Sequence, residues 1–152
     1  MIHYEDLAVE QVDLFGPVEV TAEAVVDFAR RYDPQRFHLS DEGARDTYFG
    51  RLAASGWHTA ALTMKLMMTG REAPLASLGS PGLDDLRWHR PVYPGDRLSV
   101  EVTVTDKRVS RSRPEMGLVH FGIATLNQDE VVVMSFNTVS MVARRDAGSD
   151  DR

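Results

Sequence analysis

The sequence predicts an α+β domain in which an antiparallel sheet wraps around a central buried helix. Three observations carry that expectation. Apolar residues recur at helical spacing only in the first half of the chain, they alternate with polar residues at strand period only in the second half, and one helix is apolar nearly all round. Helices followed by a run of long strands mark a helix packed on one face of a sheet, and a helix greasy on every side must be covered on every side. With 152 residues, the chain has the length of one domain with a sizeable core. No repeat or composition shift divides it, so one domain is expected over 1–143, followed by a polar, frayed tail over 144–152.

Taken in order, Val12, Leu14, Val18 and Val20 read as an extended piece broken by a turn at Gly16-Pro17. Thr21 then caps a helix whose Val25, Phe28, Ala29 and Tyr32 share one face, and Asp33 ends it because a residue before proline is driven out of the α region. From Pro34 to Arg51 no period persists, which predicts an irregular segment or short helical turns. Ser55-Gly56 opens the second helix, with Trp57, Ala60, Ala61, Met64 and Met68 as its expected buried stripe, widened by Leu62, Leu66 and Met67. Gly70 terminates it, and Glu72 to Gly82 reads as a connecting loop. The period then falls to two. Leu86 and Trp88 begin a strand, Pro94-Gly95-Asp96 makes a turn, and Leu98, Val100, Val102 and Val104 alternate in the cleanest strand of the chain. Arg108 to Pro114 is a basic loop, and strands over 116–126 and 131–142 are joined by a hairpin turn at Asn127 to Glu130.

Composition narrows the function. A net charge of -6 without a Lys/Arg stripe argues against nucleic acid as a partner. The absence of cysteine excludes disulfides, a thiolate nucleophile and the usual cysteine zinc sites. The acidic start Met1-Ile2-His3-Tyr4-Glu5-Asp6 is unlike a secretory signal, and no apolar run is long enough to suggest a membrane span, so a soluble cytoplasmic protein is expected. His3, His89 and His120 have no ligating partner at metal spacing and read as structural, so no metal site is expected. His58, in the first turn of the buried helix, either packs there or touches a ligand. Asp33 and His38 differ. A carboxylate and an imidazole five residues apart across a turn can converge on one water as proton acceptor and proton donor, although Asp before Pro is also common turn chemistry.

The stretch Asp33-Pro34-Gln35-Arg36-Phe37-His38, followed by Ser55-Gly56-Trp57, resembles the hydratase signature of MaoC-like dehydratases and (R)-specific enoyl-CoA hydratases, D-x-N-P-x-H with an H-G or S-G pair after a loop. Arg90-Pro91-Val92-Tyr93-Pro94-Gly95-Asp96 is similar to the R-P-V-x-P-G-D turn of the same family. The resemblance implies a hotdog fold and reversible addition of water across the 2,3 double bond of an enoyl-CoA thioester, with coenzyme A entering as substrate and no separate cofactor. It implies Asp33 as the base that activates water, His38 as the group that delivers or relays a proton to the α-carbon, and the Gly56 N–H as the donor to the thioester oxygen. Ser55 and Trp57, which flank that donor, are expected to contact substrate. Arg36 is expected either to reach a CoA phosphate or to remain solvated. The resemblance also implies a homodimer with the substrate tunnel near the subunit boundary. Two positions depart from the motif, Gln35 for its Asn and Arg36 for its Pro, and they set the loop that carries the pair. The rival readings are a hotdog thioesterase, whose helix carboxylate is missing from residues 51–71, and an acyl-CoA-binding protein without turnover, which would dispense with the Asp or the His.

Overall fold

The computed structural model describes residues 1–145. Strand β1 (Val12–Glu19) leads through the Thr21 cap into helix α1 (Ala22–Tyr32). The Thr21 hydroxyl accepts from the Ala24 N–H at 3.2 Å, satisfying one of the orphan donors of the first turn. A 3-10 turn (Arg36–His38) and the short helix α2 (Asp41–Ala44) fill the irregular segment, and helix α3 (Gly56–Thr69) follows. Strands β2 (Ser77–Gly79), β3 (Leu83–Trp88), β4 (Arg97–Val109), β5 (Met116–Leu126) and β6 (Val132–Ala143) complete the chain. All pairings are antiparallel in the order β1-β4-β5-β6, with β2 and β3 sharing the outer edge of β6. This is the expected α+β domain, an antiparallel sheet curled against α3 in the hotdog arrangement.

The sheet follows from the alternation. Leu98, Val100, Val102 and Val104 of β4 are all fully buried, each burial contributing about 1.5–3 kcal/mol, while their odd-numbered neighbours face away. Val100, Val102 and Val104 join Phe121, Ile123, Phe136 and Met67 in one core cluster beneath α3, while Leu98 belongs to a second. The second cluster, with Val25, Leu52, Ala54, Val92 and Val133, lies where α1 meets the segment leading into α3. That second cluster anchors the segment from which the candidate site is built.

Three expectations are corrected. The Gly16-Pro17 break is a bulge inside a continuous β1, where the register shifts between Phe15 and Val18; proline tolerates this edge position because no ladder donor is required of it. The connecting loop over 72–82 contains β2, too short and too exposed to show a period. The largest correction concerns α3. Its buried residues are His58, Thr59, Thr63 and Met67, whereas Trp57, Met64 and Met68 of the expected stripe are 57%, 49% and 53% exposed. The Thr63 hydroxyl is 2.7 Å from that of Thr125 on β5 and donates to the Thr59 carbonyl at 2.8 Å, so polar groups satisfied against the sheet, not greasiness, choose the inward face.

At the C-terminus, Arg144 Nε lies 3.2 Å from Glu5 and an Arg145 guanidinium nitrogen 2.6 Å from Asp6, which ties these two residues of the expected tail to the N-terminal turn. The rest of that tail, 146–152, lies outside the described residues. Among the described residues no helix is long and apolar enough to cross a membrane.

Candidate active site

Pro34 stops α1 at Asp33, whose backbone leaves the helical region (φ -151°, ψ 69°), and the 3-10 turn then reverses the chain so that His38 is buried. The His38 Nδ1 is 2.7 Å from the Ala53 carbonyl oxygen. A carbonyl only accepts, so Nδ1 carries the proton and Nε2 is left to face Asp33. His38 Nε2 and Asp33 Oδ2 are 3.5 Å apart, too far for a strong direct hydrogen bond. The break after α1 and the 3-10 turn thus bring the two groups side by side.

Two further residues hold the carboxylate. The Ser55 hydroxyl, fully buried at the cap of α3, donates to Asp33 Oδ2 at 2.6 Å and accepts from the Trp57 N–H at 3.2 Å. Gln35 Nε2 donates to Asp33 Oδ1 at 2.7 Å. Burial alone pushes the Asp33 carboxyl up, but the hydrogen bonds from Ser55 and Gln35, with a smaller contribution from the neighbouring His38, outweigh it and hold the group below its ordinary 3.8. Gln35, which departs from the Asn of the motif, is therefore a direct support of Asp33. Ser55 contacts Asp33, a different role from the substrate contact expected of it.

Gly56 begins α3, and its N–H has no acceptor among the described residues, as befits the first position of a helix. The Trp88 indole lies flat on it: Nε1 donates to the Gly56 carbonyl at 2.9 Å, and a Cβ at this position would sit 2.4 Å from Cε2. Glycine is required by that tryptophan, as well as by any close approach of substrate. Trp57 packs edge-to-face on Trp88 with ring centroids 5.1 Å apart.

A cleft of about 250 Å³ opens here, lined among others by His38, Phe49, Gly56, Thr59, Trp88, His89 and Arg90, with Asp33 and Ser55 behind His38 and Gly56. The helix-start N–H and the imidazole therefore share one recess. Trp57 and Arg36 are not among the lining residues, and Arg36 instead donates to the Gly43 carbonyl at 3.3 Å. His58 is buried against Phe28 of α1, its ring stacked at 4.9 Å and 9°, and burial lowers its pKa below the ordinary 6.5. It too is absent from the lining. The sequence reading passed over Trp88 and His89 as site residues; their only signal was adjacency to Arg90-Pro91-Val92, which forms one wall. Among the described residues no three His, Cys, Asp or Glu side chains gather where a metal ion would be held.

Comparison with known proteins adds an independent line. The family model for the MaoC like domain matches residues 6–121. The chain is 41% identical to a MaoC-like dehydratase from Rhodospirillum rubrum of known structure, with a TM-score of 0.86 over 95% of this chain and 99% of that one. The R-hydratase PhaJ1 from Pseudomonas aeruginosa superposes with a TM-score of 0.74 at 26% identity, over 95% of this chain and 87% of that one. The uncharacterized protein YdeM of Bacillus subtilis is 28% identical over 92% of this chain and 98% of its own length.

Proposed function

The chain belongs to the MaoC-like dehydratase domain family, and on that premise we propose that it adds water reversibly across the 2,3 double bond of an enoyl-CoA thioester. The observation that carries the proposal is the convergence of Asp33 Oδ2 and His38 Nε2, 3.5 Å apart, beside a cleft lined by His38 and by Gly56, whose N–H has no acceptor among the described residues. With its proton on Nδ1, His38 presents an acceptor at Nε2, as the ionised Asp33 does at Oδ2, so one water can donate a hydrogen to each. Asp33 takes a proton as the water oxygen bonds to C3, and the π electrons move onto the thioester oxygen. The Gly56 N–H and the positive end of α3 stabilise that charge, and removing a donor of this kind costs about 10²–10³ in rate. The proton that Asp33 has taken passes to His38 Nε2, 3.5 Å away, and from there to C2, so the water's hydroxyl ends on C3, its proton on C2, and both side chains return to their starting state. In this reading Ser55 and Gln35 fix the base and Arg36 has no part.

The test is hydration of crotonyl-CoA followed by loss of enone absorbance. Turnover by the native chain, lowered by about 10²–10⁴ in Asp33→Asn and in His38→Ala, is expected. Tight binding of short, medium and branched enoyl-CoA esters without hydration of any would overturn the proposal in favour of a binding protein. A thioesterase is disfavoured because α3 carries no Asp or Glu.

We further propose that the active species is a homodimer. The face of α3 carrying Trp57, Met64 and Met68 is apolar and uncovered in the single chain, and a second copy would bury it.

A further inference from the structure

The cleft wall from His89 to Val92 contains a cation that the hydration chemistry does not use. Among the described residues Arg90 is the only arginine or lysine lining the cleft, and no Asp or Glu lines it, although the chain has 23 acidic residues against 17 basic ones. Its guanidinium makes no hydrogen bond or ion pair among the described residues, whereas Arg71 is held by Asp13, Arg113 by Glu115 and Arg36 by the Gly43 carbonyl. The backbone that presents it is fixed. The N–H groups of His89 and Arg90 donate to the Val133 carbonyl at 2.8 and 3.3 Å, Pro91 restricts the backbone of Arg90 before it, and the Val92 carbonyl accepts from the Ala54 N–H at 2.8 Å. His89 lines the same cleft, its Nε2 held 2.6 Å from the Ser135 hydroxyl.

We propose that Arg90, with His89 beside it, recognises an anionic group of the thioester ligand. Arg90 is exposed on a wall whose backbone is fixed, and its unpaired guanidinium is free to offer the two parallel hydrogen bonds that a carboxylate or a phosphate accepts. The two sources of that anion are a phosphate of the carrier arm and a carboxylate on the acyl part. The proposal rests on the thioester reading of the cleft, and binding measurements separate the two.

The experiment compares Arg90→Gln with the native chain on four ligands: crotonyl-CoA, crotonyl-pantetheine without phosphates, and the same two carriers loaded with a carboxylated enoyl group. Kd is read by titration calorimetry and, where turnover occurs, KM and kcat separately. Arg111→Gln, in the turn between β4 and β5, controls for loss of one positive charge. The expected result is a Kd raised about tenfold or more by Arg90→Gln for the ligand that carries the recognised anion over its counterpart without it, with a loss that shrinks as salt is added. Selectivity for the CoA arm identifies the phosphate, and selectivity for the carboxylated acyl group identifies the carboxylate. Equal effects on all four ligands, or the same effect from Arg111→Gln, overturn the proposal. A native chain that binds without hydrating, yet shows the Arg90 selectivity, sinks the hydratase reading and leaves the anion site standing. A chain that binds none of the four overturns both.

Discussion

Asp33 illustrates how a single side chain is tuned by partners distant in sequence. Its pKa sits below 3.8 because donors from Ser55 and Gln35 favour the ionised form more than burial disfavours it. As the base, Asp33 must be ionised, so the acid limb of the kcat/KM profile should fall as pH drops through its pKa. Gln35→Ala removes one donor, raises that pKa, and is expected to move the limb to higher pH; a pH profile of kcat/KM checks it. The sign for stability is the same: the depressed pKa stabilises the fold above 3.8 and that contribution is lost as pH falls below it. Ser55→Ala should move the limb likewise and also cost about 1 kcal/mol through loss of the helix cap, seen in chemical denaturation. Asp33→Asn and His38→Ala should each lower kcat/KM by about 10²–10⁴ with the far-ultraviolet circular dichroism unchanged. The Asp33–His38 pair was legible because it stands in a stretch that resembles the D-x-N-P-x-H motif, whereas its spacing alone is equally compatible with ordinary turn chemistry. Ser55 as the partner of Asp33 was not, since 22 residues separate them and only the packing of α1 beside α3 closes that gap.

The helix ends carry this geometry. At the start of α3, Gly56 and Trp88 interlock, so Gly56→Ala must displace an indole from a 2.4 Å overlap, at an expected cost of about 1–3 kcal/mol in stability. Denaturation of Gly56→Ala, Trp88→Ala and the double variant should show strong coupling, because the three atoms nearest the added methyl all belong to the indole. Near the same end His58 docks α3 onto Phe28 of α1, the helix that delivers Asp33. Its depressed pKa means that the unfolded chain binds the proton first, so stability is full above 6.5 and falls as pH drops below it toward the folded pKa. A Tm series between about pH 7 and 5 should show that loss, and His58→Leu, which keeps the packing, should flatten it. The sequence made the elements readable wherever one face was clearly apolar, as in α1 and β4. It misassigned the inward face of α3 because that helix is apolar nearly all round, leaving the choice to Thr63 and Thr125, a pair 62 positions apart.

For the whole molecule, the same misassigned face supplies the last prediction. A soluble monomer rarely leaves a broad apolar surface uncovered, yet Met64, Met68 and Leu83, which line one apolar groove, are each about half exposed, as are Trp57 and Trp88 beyond them. In the proposed homodimer, the apolar outward side of α3 is the side that a second copy covers. Aromatic and methionine side chains of this kind are the residues that concentrate binding energy at such contacts. Met64→Glu with Met68→Glu places two charges on that face about 12 Å or more along the helix from Gly56, so it perturbs association without touching the Asp33–His38 pair. Light scattering coupled to size exclusion is expected to give a dimer for the native chain and a folded monomer for the double variant. A native chain that runs as a monomer at micromolar concentration would show that this face is left to solvent, and the homodimer reading would fall with it.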